Sequence, residues 1–318
     1  MGEITINNRT LGAGESGEIS LHVGRLPSGA RVSVKTHVFN SLNPGPTVLI
    51  LAGLHGDEIN GVEIVRRALS SGLFENLLCG CVIVIPVLNV YGFINFSREV
   101  PDGKDVNRSF PGSFRGSLAS RVARMLTKKV LPLVDFGIDF HTGGDNRFNF
   151  PQIRYSRRDP AAEECALQFA APFIIEKPVI GKTLRKTAKS MGIPLIVFEG
   201  GEALRLDGFA IETALKGLRR LLHAKGLIDT SEISGQVIRL RKTSWIRASH
   251  AGIFIWSKKS GTKIQKGETL GGIFDPYGKT RVPVAATRDG YIIGHNNTPV
   301  VHQGDALFHL GYESDLVK

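Results

Sequence analysis

The sequence predicts an α/β fold, a mixed and mostly parallel sheet flanked by helices over residues 1–230, with a smaller all-β, barrel-like domain over residues 231–318. Two observations carry this reading. Short runs rich in Val and Ile alternate with longer segments of helical period through the first two thirds of the chain, the pattern of a sheet covered on both faces. From about Ser231 the texture changes to brief β-like runs cut by glycine turns.

In order, the first 40 residues, with Gly12, Gly14 and Gly17, read as strands and turns at the front of the α/β domain. Thr47 to Gly53 reads as a buried strand, Gly61 to Leu73 as a helix, Val82 to Leu88 as a second strand and Leu118 to Leu131 as another helix. Phe136 to His141 is a third strand. A helix at about Ala161 to Ala171 precedes the strand Pro194 to Glu199, which Gly200 and Gly201 close. The last long helix runs through Ile211 to Leu222 and ends near Gly226. In the tail, Gly252 to Trp256, Thr269 to Phe274 and Gly290 to Gly294 are strand-like. Lys263 to Leu270 with Arg288 to Ile292 resembles a lipoyl/biotinyl-like barrel, but without the Met-Lys-Met of a carrier domain.

With 318 residues and 42% hydrophobic content, the chain can fill a proper core. Its three cysteines, Cys79, Cys81 and Cys165, are odd in number and sparse, which predicts buried thiols in a reducing cytoplasm. The start, Met1-Gly-Glu-Ile-Thr-Ile, lacks the basic and apolar parts of a secretory signal. No apolar run approaches the roughly 20 residues that cross a bilayer, so a soluble protein is expected. The net charge of +11 is spread over scattered basic segments without interleaved aromatics, which argues against nucleic acid and for a solvated surface that steers anions.

The strand ending at Gly53 leads into His55-Gly-Asp-Glu58, just past the edge where open α/β sheets collect ligands. Gly56 lets the backbone bend so that an imidazole and a carboxylate can converge on one cation. Asp139-Phe-His141 places a second histidine past another strand, so His55, Glu58 and His141 make an open His2Glu set, as in catalytic zinc sites. Asp139, two residues before His141 on the same strand face, either orients that imidazole or is an ordinary buried polar residue.

Four blocks, His55-Gly-Asp-Glu58, Asp105-Val-Asn-Arg108-Ser-Phe-Pro111, Asp139-Phe-His141 and Phe198-Glu199-Gly200-Gly201, occur in the order of one family. Over about residues 45 to 225 the chain resembles succinylglutamate desuccinylases and aspartoacylases, relatives of zinc carboxypeptidases. The resemblance implies a zinc-carboxypeptidase-like fold and one Zn2+ per chain. It also implies hydrolysis, by metal-activated water, of the amide bond of an N-acylated, acidic amino acid or related small carboxylate. Glu199 then matches the carboxylate that carries the proton to the leaving nitrogen, with Glu202 as the competing candidate. Asn107 and Arg108 match the pair that grips a substrate carboxylate, and Arg98 the arginine that stabilises the oxyanion. Arg154, in Pro151-Gln-Ile-Arg, is an additional substrate contact. Two rivals remain: a zinc carboxypeptidase trimming acidic peptide tails, and a basic polyanion-binding protein with a vestigial metal site. The sequence is compatible with an oligomer.

Overall fold

The run Thr47–Ala52 is buried at every residue, as a strand must be when helices cover both its faces. The computed structural model describes residues 2–230 and 232–317; Met1, Lys318 and Ser231, the residue chosen as the start of the second domain, lie outside the described residues. Ten strands come first: β1 (Ile4–Ile6), β2 (Arg9–Leu11), β3 (Ser16–Arg25), β4 (Arg31–Asn40), β5 (Thr47–Ala52), β6 (Cys81–Ile85), β7 (Phe136–Gly143), β8 (Arg147–Ser156), β9 (Phe173–Lys177) and β10 (Leu195–Glu202). Between them lie α1 (Ile59–Ser70), α2 (Val90–Ile94), α3 (Leu118–Lys129), α4 (Pro160–Phe169) and α5 (Leu184–Ser190), and α6 (Gly208–Ala224) follows. The C-terminal region is all β: β11 (Val237–Arg247), β12 (Gly252–Trp256), β13 (Lys263–Ile264), β14 (Thr269–Phe274), β15 (Arg281–Ala285), β16 (Gly290–Asn296), β17 (Val300–Val301) and β18 (Ala306–Val317).

One 12-stranded sheet runs β13-β16-β18-β11-β9-β8-β10-β7-β5-β6-β4-β3. Parallel pairing is confined to β6-β5-β7-β10, β8-β9 and β9-β11; every other neighbour in that order is antiparallel. "Mostly parallel" therefore fits only the centre of a mixed sheet, because apolar runs record burial and not direction. Predicted β6 is also too long: it stops at Ile85, where Pro86 has no N–H for the ladder.

Alternation along β5 sends its side chains into two separate cores. Leu49 and Leu51 join Val122, Leu126 and Leu184 of α3 and α5, whereas Val48 and Ile50 join Ile64, Ala166 and Leu218 of α1, α4 and α6. Each such fully buried Val, Leu or Ile contributes roughly 1.5–3 kcal/mol. Three of the longer helices start on side-chain caps, α3 on Ser117, α4 on Asp159 with Pro160 and α6 on Asp207. The C-terminal strands enclose a third core around Phe254, Leu270, Ile292 and Phe308. They also join the rest of the chain directly, β11 alongside β9 and β16 alongside the first residues of β8. Among the described residues no helix is long and apolar enough to cross a membrane.

Candidate active site

β5 and β7 are parallel neighbours, so the segments leaving their C-terminal ends meet at one place above the sheet. The turn after β5 brings His55 and Glu58 there, and His141 lies near the end of β7. That turn needs Gly56, because a Cβ would stand 1.9 Å from the carbonyl carbon of Gly92. Glu58 lies between the two imidazoles: Oε1 is 2.7 Å from His55 Nδ1 and Oε2 is 2.8 Å from His141 Nδ1. The Thr142 N–H donates to Oε2 at 3.0 Å.

All three side chains are buried, and one donor atom from each lies within 4.8 Å of the others. Behind His141, Asp139 Oδ2 is 2.7 Å from Nε2, which resolves the open role of Asp139 as a partner of that imidazole. Behind His55, Asp105 Oδ1 stands 3.3 Å from Nε2, close enough for charge attraction though not aligned for a hydrogen bond. Each histidine thus turns Nδ1 inward and Nε2 toward a carboxylate, and for His141 the hydrogen bond to Asp139 is the arrangement that fixes the tautomer of a metal-ligating imidazole. Burial opposes charge on His141, but Asp139 and Glu58 outweigh it and hold the imidazole well above its usual value. Burial likewise opposes charge on Glu58, yet the two histidines drive it well below the usual carboxylate range. Such a field favours cations, and the donor set fits a zinc-type ion, which would displace protons on binding.

The cluster opens into a cavity of about 270 Å³ that also receives Arg98, Asn107, Arg108, Arg154 and Glu199, so every predicted site residue reaches one pocket. Arg98 donates to Asp105 Oδ2 from Nε at 3.1 Å and Nη2 at 2.9 Å, and its Nη1 lies 3.4 Å from Glu58 Oε1. Burial works against its charge, but Asp105 and Glu58 more than offset that and raise its pKa. The Asn107 side-chain oxygen accepts the Leu184 N–H at 3.0 Å, leaving its NH2 as the end with donors to spare. Glu199 accepts from Arg154 Nη1 and from Asn149 Nδ2, both at 2.8 Å. Arg154 thus meets Glu199 as well as the cavity. Glu202 is turned elsewhere: it accepts from Asn297 at 2.6 Å and does not line the cavity.

Among the lining residues that the sequence did not single out are Asn149, Arg185, Arg147 and Trp245. Arg185, on α5, donates from Nη2 to the Pro178 carbonyl at 3.0 Å, while its Nη1 is buried without a hydrogen-bond partner among the described residues. Burial and the neighbouring Arg154 push its pKa down to about 10. Trp245 comes from β11, stacked on His309 with ring centres 4.3 Å apart. Burial, reinforced by Arg154, keeps the His309 pKa well below its usual value, so the ring stacks as a neutral imidazole. In the sequence these four stand outside every block that carries the family resemblance.

The model of the succinylglutamate desuccinylase/aspartoacylase catalytic domain matches residues 44–224, more than half of the chain. The chain belongs to this family. It is 27% identical over 280 residues to the N-alpha-acetyl-L-2,4-diaminobutyric acid deacetylase of Halomonas elongata, covering 83% of this chain and 81% of that one. A succinylglutamate desuccinylase/aspartoacylase from Rhodobacter sphaeroides superposes with a TM-score of 0.83 at 25% identity, over 94% of each chain. The product-bound ectoine utilization protein EutE from Ruegeria pomeroyi also gives 0.83, at 24% identity over 93% of this chain and 94% of that one, and shows the same fold. The family's catalytic domain ends at residue 224, yet Trp245 of the following β region still lines the cavity.

Proposed function

We propose that the chain is a cytoplasmic, zinc-dependent amidohydrolase that removes the acyl group from a small N-acylated amino acid carrying a carboxylate. The carrying observation is the convergence of a buried His-Glu-His cluster, Glu199 and two uncompensated arginines on one small cavity. His55, Glu58 and His141 would hold the ion, with Asp105 and Asp139 orienting the imidazoles. When bound, zinc supplies a Lewis acid that polarises the acyl carbonyl and makes water more acidic near neutral pH.

The protein's own groups do the rest. Glu199 takes the proton of the attacking water and delivers it to the leaving nitrogen, as a carboxylate within hydrogen-bond reach can. Arg98, held beside the cluster by Asp105, offers positive charge where the carbonyl oxygen becomes negative. Five arginines line the cavity. Arg98, Arg147 and Arg154 have carboxylate partners in Asp105, Asp145 and Glu199, whereas Arg108 and Arg185 have none within 4.0 Å among the described residues. Arg108, with the Asn107 amide, receives one substrate carboxylate in charge-assisted hydrogen bonds. Arg185 favours a second anionic group.

The substrate named for the Halomonas relative carries a side-chain amine. The cavity-lining carboxylates here, Glu58, Asp139 and Glu199, are all engaged with histidines, arginine or asparagine. An acidic side chain therefore suits this pocket better than an ammonium. A cavity near the lower end of small-molecule sites, roughly 300 Å³, also suits an acyl amino acid better than a peptide tail.

Metal content and hydrolysis of N-acetyl, N-succinyl and peptidyl amino acids test the reading, with His141→Ala and Glu199→Ala as controls. About one zinc per chain, cleavage of the N-acyl acidic members and loss of cleavage in both variants are expected. Full activity of Glu199→Ala after zinc stripping, or cleavage of the peptides alone, would overturn it.

A further inference from the structure

Asn149 and Arg154 both reach Glu199 from β8, although they are five residues apart and would point to opposite faces of a regular strand. An extra residue in β8 reconciles them. Glu199 pairs with Gln152, but Gly201 pairs with Asn149, so Phe150 and Pro151 together oppose Gly200. Pro151 has no N–H to lose from the ladder at that bulge.

On its other side β8 changes partner at the same point. β9 pairs with Gln152 to Ser156, and β16 of the C-terminal region pairs with Arg147 to Asn149. Gly294 of β16 stands opposite Asn149. A Cβ on Gly294 would come within 2.9 Å of both Asn149 Oδ1 and the Phe148 carbonyl oxygen. The orientation of the buried Asn149 amide follows from chemistry: a carboxylate only accepts, so Nδ2 faces Glu199 and Oδ1 faces Gly294.

We propose that Asn149 is a positioning residue for Glu199, and that Gly294 sets Asn149 by leaving room for its amide oxygen. The C-terminal β region is then a working part of the hydrolase, acting through a backbone position outside the cavity. This rests on the reading of Glu199 as the proton carrier.

Full-length, zinc-loaded wild type, Asn149→Asp, Asn149→Ala, Gly294→Ala, the Asn149→Ala/Gly294→Ala double variant and Glu199→Gln are compared. The probe is the member of the N-acyl amino acid panel that wild type cleaves fastest. Loss of one hydrogen bond to a charged group predicts a fall in kcat of about 10- to 100-fold in each Asn149 variant. KM should stay within about threefold, since Asn149 orients the proton carrier and does not bind substrate. Gly294→Ala should lower kcat comparably, and the double variant should be no slower than the slower of the two single variants, because one acts through the other and the backbone contact with Phe148 is common to both Gly294 variants. Zinc content should not change.

Losses that multiply in the double variant, or that appear in KM, overturn the proposal. So does wild-type kcat in both Gly294→Ala and the isosteric Asn149→Asp while Glu199→Gln is inactive. Wild-type kcat in Glu199→Gln instead removes the proton-carrier reading and this proposal with it. A crystal structure of Gly294→Ala supplies a readout that needs no turnover: Asn149 Nδ2 still within about 3.2 Å of Glu199 refutes the coupling.

Discussion

Acidification should loosen the attachment of β16, by an amount that one histidine sets. His295 follows Gly294 on that strand; it is 4% exposed, with Nδ1 2.7 Å from Ser260 Oγ and its ring stacked on Phe148. Trp256 packs nearby, and Glu202 is linked through Asn297. Burial pushes the imidazole pKa down to about 4, against about 6.5 in an unfolded chain. Between those values the unfolded state binds the proton and the folded state does not, so stability falls as pH falls through that window. From about pH 7.5 to about pH 5 the loss from this group is about 2 kcal/mol, levelling near about 3 kcal/mol below pH 4. His295→Gln keeps a side chain able to bond Ser260 but does not titrate. Urea unfolding of both proteins at the two pH values isolates the histidine, because the other titrating groups are shared. The variant should lose about 2 kcal/mol less than wild type over that interval. Equal losses would show that His295 is either solvated in the folded protein or free to move to water when charged.

Two further outcomes follow from the site. Asp139→Asn should weaken zinc binding by about 10- to 100-fold, read by competition with a chromophoric chelator; undiminished affinity would mean that Asp139 does not orient His141. Arg185→Met should raise KM for N-acetyl-L-aspartate by about 10- to 100-fold with kcat little changed, and an unchanged KM would remove Arg185 from substrate recognition.

His55, Glu58 and His141 were legible because each stands at the end of an apolar strand, where sequence order translates directly into position. Asp105 opens the block that runs to Pro111, but its place behind His55 depends on a loop whose path no periodicity records. α5 has seven residues, too few for a helical pattern to be told from a loop, so Arg185 had no visible context. Asn149 was hidden by parity. Counting by twos along β8 from Arg154 puts Asn149 on the far face, and the bulge at Phe150 and Pro151, visible only once the strands are paired, returns it.

The arginines show why composition could suggest an anionic substrate without saying which cations bind it. Arg154 and Glu199 are 45 residues apart, joined only by antiparallel pairing of β8 and β10. Once they are paired, Arg154 is held against Glu199, the proposed proton carrier, and its charge is largely neutralised before substrate arrives. Arg98 is likewise paired, with Asp105, through Nε and Nη2, and so is not free to grip a substrate carboxylate with its full fork. A receptor for carboxylate must instead be a guanidinium that the fold brings to the cavity and leaves without a carboxylate, which describes Arg108 and Arg185. On the proposed reading, recognition in this pocket is set by which charges the fold cancels, and that depends on register, not on how many arginines the sequence holds.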